Sequence, residues 1–434
     1  MYSPLELLSP QKLGGTFRRV LMTSILSNLG DGVLIAAGPL LVQLLTKDPF
    51  LVSLALFMQT VPWVLFGLFA GVVNDSISRK HVMLITGSVR FLVLSGASVM
   101  LLTGTLNIWL LYLLLFIMGT GETFGDNAWS SVIPDIVPSE HLGAANARLI
   151  GSNQVLNQLA GPALGGLLFA VASWLPYAFN AVLFGSALIL IARTVIPNPH
   201  LENREKPLAQ RSLTARSRQV FGDLGAGLKW LWQHAAIRTL AIVIFTFNIT
   251  WGAAWGVLVL YAHQILGLTD WEYGIFMALS AIGGVLGTAI YSAAEKRMSY
   301  TTLMRIGLSL ETLLMLAFAL TSNRWFAAVF MLIFGFYAVI WGTLSMTIRG
   351  RAVPTEMRGR VGSVYMLGVM GGIAIGTGIG GVFAGLYGIT APFWFAFVAD
   401  ALILALLWRA LPAIGRAGQH GPQEPVNDET ASSL

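Results

Sequence analysis

Three acidic residues stand inside long apolar stretches in the N-terminal half of this sequence, where charged side chains are rare. Asp31 lies near the middle of one stretch, Glu122 lies near the middle of another, and Asp126 follows Glu122 by four residues. Carboxylates inside an apolar segment are costly and usually face a cavity or a partner. Grouped around a water-filled cavity, they would suit a proton, a cationic ligand or an exchange of the two. We therefore predict a proton or cation site at Asp31 and Glu122, with Asp126 beside them.

Arg90 supplies an alternative interpretation of the same residues. It is the one basic residue near the middle of an apolar stretch in the N-terminal half of the chain. As a charge partner, it would simply neutralise Glu122 or Asp126, since buried charges usually pair with one another. For Asp126, which we expect at a depth similar to that of Arg90, we prefer this alternative.

The composition indicates that these residues lie in a membrane. The chain has 434 residues, of which 56% are hydrophobic and 11% are charged, whereas soluble proteins have about 25% charged residues. No cysteine is present, which excludes disulfides, thiolate metal sites and cysteine nucleophiles. The polar N-terminus shows no cleavable signal peptide, so we expect the first apolar segment itself to target the protein.

Twelve segments are long and apolar enough to cross a membrane, which takes about 20 residues each. The predicted fold is an all-α membrane protein with two pseudo-symmetric six-helix bundles, at 17–196 and 236–411. The predicted spans are 17–45, 51–73, 81–103, 108–132, 141–172, 175–196, 236–266, 272–294, 300–321, 325–348, 358–387 and 391–411.

Polar segments flank the two predicted bundles. Residues 1–16 form the N-terminus, and 197–235 form a basic linker whose second part spaces apolar residues as an amphipathic surface helix does. Residues 412–434 are rich in small and polar residues and are expected to form a disordered tail.

The basic residues fall on one side of the predicted topology. The other side holds only Lys47 and Arg324. Because loops rich in Lys and Arg stay in the cytoplasm, we predict that both termini are cytoplasmic. The basic side carries Lys12, Arg18, Arg19, Arg79, Lys80, Arg204, Lys206, Arg211, Arg216, Arg218, Lys296, Arg297, Arg349, Arg351, Arg358, Arg360 and Arg409.

Two short patterns recur in the two halves. Val137-Pro-Ser-Glu140 precedes the fifth predicted span, and Val353-Pro-Thr-Glu356 precedes the eleventh. Asn28-x-x-x-Gly32 in the first span has a counterpart in Asn248-x-x-x-Gly252 in the seventh. Their equivalent places predict a repeat of two parallel six-helix halves. The alternative is a coincidence of two helix starts, since Pro and Glu suit that position anyway.

The connection Gly71-Val-Val-Asn-Asp75-Ser-Ile-Ser-Arg79-Lys80 resembles the loop between the second and third helices of the major facilitator superfamily. Gly161-Pro162-x-x-Gly165-Gly166 in the fifth span resembles the antiporter motif of that superfamily's exporters. The resemblance implies two rocking halves with a central cavity lined by spans one and four. Ordinary helix packing is the alternative for the glycine motif.

Further motifs resemble the drug/proton antiporter branch, which includes macrolide-efflux proteins and the enterobactin exporter. They are Asp223–His234 with Ile237–Leu240, and Ile133–Pro138 with Ala144-Ala-Asn146. The chain departs from the common pattern at Ser76 and Ser78, and it lacks the arginine that proton antiporters often carry in the fourth span.

By the same resemblance, Gly71, Asp75, Arg79 and Lys80 form a conformational latch near the start of span eleven, whose dipole favours a negative charge. Arg79 has Asp75, Asp135 and Asp126 as candidate partners, and Arg358 and Arg360 at the start of span eleven are further possible partners for the acidic side of the latch. In the alternative, these residues only turn the chain and anchor it.

Polar and aromatic residues of the spans are candidate substrate contacts, because multidrug cavities are often aromatic. The alternative is ordinary packing and hydrogen bonding between helices. We expect Glu311 and Asp400 to be partners for Arg305 or for each other. The candidate contacts are Asn28, Asn153, Asn157, Trp251, Trp255, Tyr337, Trp341 and Tyr365.

Together these observations predict a proton-coupled exporter of amphipathic small molecules, such as drugs, in a bacterial plasma or inner membrane. The alternatives are a dedicated exporter of one product such as a siderophore, and a sensor on the same fold. No Walker loop, zinc-ligand spacing or nucleophile elbow occurs, so we expect no enzyme, no cofactor and no metal. The expected partners are a small-molecule substrate, protons and lipids, without nucleic acid, and the chain is expected to be a monomer.

Overall fold

The computed structural model describes residues 13–197 and 213–420, without the side chains of residues 75, 130, 213–218 and 420. The predicted N-terminal segment up to residue 12, the basic residues at 198–212 and the end of the tail from 421 lie outside this description. Every regular element in the described ranges is a helix. Eleven helices are long and apolar enough to cross a membrane, and a bent pair at the C-terminal end brings the number to twelve. The predicted fold class is therefore confirmed.

The spans agree with the predicted segments to within a few residues. The first half consists of Gly14–Leu45, Pro49–Ser76, Arg79–Leu102, Ile108–Ile136, Ser139–Val171 and Leu175–Ala192. The second half consists of Ala235–Gln264, Asp270–Arg297, Tyr300–Leu320, Arg324–Ala352, Arg358–Tyr387 and Ala391–Leu407.

Several spans begin at side chains that cap them. Asp48 accepts a hydrogen bond of 2.8 Å from the backbone N–H of Phe50, and Asn107 accepts one of 3.0 Å from Leu110. Thr269 and Glu272 form a capping box at the start of the eighth span. Such caps satisfy N–H groups that the helix itself leaves without partners. They fix where the chain enters each span.

The fifth and eleventh spans begin in the same way, as the repeat predicts. Ser139–His141 and Thr355–Met357 are both 3-10 turns, closed by backbone hydrogen bonds of 2.9 Å to Pro138 and Pro354. Gly32 and Gly252 are equivalent too. A side chain on Gly32 would strike the backbone of the fifth span, and one on Gly252 would strike that of the eleventh. The repeat is thus present in the packing as well as in the sequence.

The twelfth span differs from the prediction. Its helix ends at Leu407, and a second helix, Leu411–His420, leaves it at an angle of 70°. The expectation of disorder from residue 412 is wrong up to residue 420. Leu411 and Ile414 are fully buried against the C-terminal half, and this burial stabilises the helix despite its polar composition.

The described part of the linker, from residue 213 onward, forms the helix Leu213–Gln233. Asp223 forms a 2.7 Å ion pair with Arg360 at the start of the eleventh span, and Phe221 packs edge-on against Phe69 of the second span. The helix therefore contacts both halves. It leaves Phe221, Leu228 and Trp232 largely exposed, as an amphipathic helix at a membrane surface would.

The two faces of the molecule are packed differently. We call the face that carries the linker helix the linker face, and the other the opposite face. Toward the opposite face, one buried core joins both halves and includes Leu40, Phe184, Tyr261 and Phe393. Toward the linker face, each of three smaller cores belongs to one half only. The halves are consequently closed against each other on the opposite face.

Candidate functional site

A cavity of about 530 Å³ lies inside the N-terminal bundle, between spans one, three, four, five and six. Its wall extends from Thr23 and Ile191, in the linker-face half of their spans, to Asp31 and Arg90 at mid-depth. All three predicted carboxylates line it, so the structure brings Asp31, Glu122 and Asp126 together. Spans one and four line this cavity, as the resemblance implies, and its lining residues all belong to the N-terminal half.

Arg90 donates a hydrogen bond from its guanidinium to Asp31 and forms an ion pair with it. The guanidinium lies 4.3 Å from the centre of the Phe184 ring, and its Nε is buried without a partner among the described residues. The direct ion pair of Arg90 is thus with Asp31, and not with Glu122 or Asp126, which the alternative named. Phe184 of the sixth span therefore flanks the guanidinium in a cation–π contact.

Glu122 and Asp126 lie on one face of the fourth span and have no ion pair within the described parts of the chain. Arg90 is the single Lys or Arg among the residues that line the cavity. The cavity thus holds three carboxylates and one guanidinium. This excess of negative charge in a largely apolar surrounding favours the entry of a proton or another cation.

Amide and hydroxyl groups form a second wall of the cavity. Asn28 donates to Ser24 and to Ser152, each at 3.1 Å, and Asn153 donates to Asn28 at 3.4 Å. Asn157 also lines the cavity and accepts a hydrogen bond of 2.7 Å from Gln158. Asn28, Asn153 and Asn157 therefore line the cavity, as predicted substrate contacts should. Hydrogen bonds of Asn28 with Ser152 and Asn153 also link spans one and five.

The middle of the fifth span is a π-helix, Asn153–Ala160, flanked by α-helix on both sides. Wide turns of this kind are rare and often occur at functional sites. The amides of the cavity wall lie on this stretch, and the glycine motif follows it directly. The sequence contains no pattern from which we could have predicted the π-helix.

The glycines of the antiporter motif lie at two close helix contacts. Gly161 and Gly165 approach Gly32 and Val33 of the first span so closely that a side chain would strike backbone atoms. Gly166 approaches Gly274 of the eighth span in the same way, and the Pro162 carbonyl also faces Gly274. The motif therefore packs the fifth span against the first span of its own half and against the eighth span of the C-terminal half.

The predicted latch is described only in part. Arg79 donates to Asp135 and to the carbonyl of Ser131, both on the fourth span, so Asp135 is its partner among the candidates whose side chains the structure describes. Lys80 donates to the carbonyl of Ala192 at 2.8 Å. The side chain of Asp75 lies outside the description, Gly71 has open space around it, and Arg360 pairs with Asp223 instead. The latch stays a prediction.

The aromatic candidates of the C-terminal half do not line the cavity. Tyr337 and Tyr365 are buried, and their hydroxyls donate to Glu311 and to the carbonyl of Ile237. Both hydroxyls therefore point into their own bundle here, and the role of these tyrosines as substrate contacts stays a prediction. Trp251 stacks on Trp255 at 5.2 Å, whereas Trp341 packs partly buried against the linker-face core.

Glu311 and Asp400 do not pair with Arg305. Arg305 lies over the ring of Trp408 and donates to the Trp408 carbonyl.

Phe184 lines the cavity, but the sequence analysis did not predict it as a site residue. Nothing in the sequence distinguishes it from the other apolar residues of the sixth span.

Two bundles of six helices, joined on one face and with a polar cavity open at membrane depth, define the class of major facilitator transporters. Solved structures agree with this class. A bacterial homologue of the iron transporter ferroportin, in the inward-facing state, covers 91% of this chain and 98% of its own with a TM-score of 0.68 at 16% identity. A bacterial homologue of the human lysosomal transporter Spinster, inward-facing and occupied, covers 96% and 100% with a TM-score of 0.69 at 13% identity.

The chain belongs to the transmembrane secretion effector family, whose profile matches residues 7–429. The multidrug efflux pump Tap of Mycolicibacterium fortuitum is 26% identical over 407 residues, which are 91% of this chain and 94% of the pump. The enterobactin exporter EntS of Shigella boydii is 24% identical over 427 residues, 97% of this chain and 98% of the exporter. Macrolide efflux protein A of Streptococcus pyogenes is 27% identical over 167 residues, 38% of this chain and 40% of that protein. The resemblance inferred from the motifs is confirmed.

Proposed function

We propose that this chain exports amphipathic small molecules, drugs among them, in exchange for protons by alternating access. The observation that carries the proposal is the cavity in which Asp31 and Arg90 pair beside Glu122 and Asp126. The multidrug and macrolide efflux relatives support the substrate class. The proposed direction, out of the cell, follows from these relatives, which are described as efflux pumps and an exporter.

The size and charge of the cavity suit such a substrate. Binding pockets for drug-sized molecules have volumes of about 300–1,000 Å³, and this cavity lies within that range. A proton or a lipophilic cation that enters it competes with Arg90 for Asp31. A proton and a cationic substrate cannot neutralise the same carboxylates at the same time. Binding of the proton would therefore favour release of the substrate, and the reverse, which is the requirement for exchange.

The packing of the halves supports alternating access. The shared core closes the opposite face, whereas the cavity wall runs toward the linker face. Opening of the opposite face would require the halves to rock apart through that core. We propose that this structure is the inward-open member of the pair of states, with both termini in the cytoplasm of a bacterial cell.

The distribution of charge supports this orientation. Apart from Lys47 and Arg324, the described Lys and Arg side chains near span ends lie toward the linker face. Cytoplasmic loops carry such an excess. We further propose that Gly71, Asp75, Arg79 and Lys80 act as a latch there, since Arg79 already ties the loop after the second span to the fourth span through Asp135.

The test is proton-driven uptake of ethidium, a lipophilic cation, into inverted membrane vesicles that contain the full chain. We expect uptake with the wild type and its loss with Glu122→Gln or Asp31→Asn. Glu140→Gln, at an exposed glutamate outside the cavity, is the matched control and should transport normally. Full proton-driven uptake by both cavity variants would contradict the proposed site.

The same vesicles and a deletion strain separate the alternatives. Sensitivity of the strain to a siderophore but to no drug would favour a dedicated exporter, as the enterobactin relative suggests. The cavity argues against an anionic substrate, because its one cation is already paired with Asp31. Absence of any saturable transport would favour a sensor.

A further inference from the structure

Two buried carboxyl side chains lie in the C-terminal bundle, away from the cavity of the other half. Glu311 lies in the middle of the ninth span and is 3% exposed, and Asp400 lies in the middle of the twelfth span and is fully buried. The ninth and twelfth spans pack against each other. The two carboxyls lie near enough for their charges to interact. The proposed transport through Asp31 and Glu122 does not use either of them.

Hydroxyl groups are the described hydrogen-bond partners of this pair. Tyr337 of the tenth span donates to Glu311. Thr250 of the seventh span donates to Oδ1 of Asp400 at 2.8 Å. Oδ2 of Asp400 is fully buried and has no partner in the described part of the chain. Four helices thus converge on a polar site that leaves one oxygen unsatisfied.

No described cation neutralises the pair. Arg305 lies six residues before Glu311, about 9 Å along the helix axis, and it is engaged by Trp408. The other cations of the surrounding helices lie near their ends and have other contacts or are exposed; they are Arg238, Arg324, Arg349, Arg351, Arg409 and Arg416.

Two ionised carboxylates cannot stay together in such a place. An unpaired charge in an apolar interior carries a prohibitive cost, and the group takes up a proton instead. The repulsion between the two carboxyls adds to that cost. We propose that Glu311 and Asp400 form a second proton-binding site, in which at least one of the two carboxyls holds a proton in this conformation.

The position of this site connects it to the proposed function, on which its role in transport rests. By the repeat, spans seven and ten are the equivalents of spans one and four, which carry Asp31 and Glu122. Thr250 and Tyr337 belong to these two spans. Gain or loss of the proton would therefore change the contacts of the helices that line the C-terminal side of the transport path.

The test reads the protonated carboxyl directly, without transport. Infrared spectra of the purified full chain in lipid nanodiscs are recorded at neutral pH in the region of the carboxylic-acid C=O stretch. We expect a band in the wild type that loses intensity in Glu311→Gln or Asp400→Asn. Glu356→Gln, at an exposed glutamate, is the control and should leave the band unchanged.

Each outcome decides the proposal. Loss of intensity in a pair variant but not in the control supports it. An unchanged band in both pair variants, or an equal loss in the control, overturns it. If Asp400→Asn fails to fold, Glu311→Gln carries the test, because its amide can still accept from Tyr337. If the band behaves as expected but ethidium is not transported, the proton site stands and the proposed function falls.

Discussion

The contact between Gly166 and Gly274 makes a quantitative prediction about which face of the molecule opens. A β-carbon added to Gly166 would lie 2.7 Å from the Asp270 carbonyl oxygen and 2.8 Å from the Gly274 α-carbon, whereas ordinary contacts begin at 3.4 Å. All three positions are on the opposite face, where the two halves meet. Gly166→Ala should therefore force the fifth and eighth spans apart and destabilise the state in which this face is closed.

The magnitude follows from the cost of one extra methyl group in a close-packed contact. Overpacking costs about 1–3 kcal/mol, and each 1.4 kcal/mol changes an equilibrium constant about tenfold. If the strain acts on the closed state alone, the ratio of opposite-face-open to opposite-face-closed molecules should rise roughly 5- to 150-fold.

The absence of cysteine from the chain makes the measurement direct. Spin labels at Thr105→Cys and Tyr387→Cys, both exposed on the opposite face but in different halves, report the distance between the halves. Gly166→Ala should populate a longer distance. Gly378→Ala, at a glycine of the eleventh span with open space around it, is the control. An unchanged distance in Gly166→Ala, or an equal change in both variants, would refute the reasoning.

Two further predictions concern the ion pairs. Arg90→Ala leaves Asp31 in the bilayer interior without its cation, so it should destabilise the fold by about 3 kcal/mol. Adding Asp31→Asn should recover much of that loss. A double-mutant cycle of thermal unfolding checks this, and additive losses would mean that Arg90 and Asp31 do not interact. Arg79→Gln should change the rate at which a thiol at Ser27→Cys in the cavity is labelled from the linker face, because it frees Asp135; an unchanged rate would mean that Arg79 only anchors the loop.

The spans, their caps and the repeat could be predicted because each depends on residues close together in the sequence. A run of apolar residues defines a span, and Asp48, Asn107 and Thr269 mark helix starts by the chemistry of their own side chains. The gathering of Asp31, Glu122 and Asp126 could also be predicted, since buried charges in a membrane must face a cavity or one another.

The direction in which a side chain points from its span could not be predicted. Lipid and the interior of a bundle are equally apolar, so hydropathy does not tell one face of a span from another. For this reason hydropathy does not predict that the hydroxyls of Tyr337 and Tyr365 face their own bundle. The contact of Arg90 with Phe184 could not be predicted either, because Phe184 comes from a helix distant in sequence.

The core that joins the two halves on the opposite face gives the conformational equilibrium a thermal character. Opening that face brings part of an apolar surface into contact with water, and exposure of apolar surface raises the heat capacity. The free-energy difference between the two states must then curve with temperature. Because hydrophobic burial weakens on cooling, chilling should favour the state open on the opposite face, without any change in substrate or proton concentration.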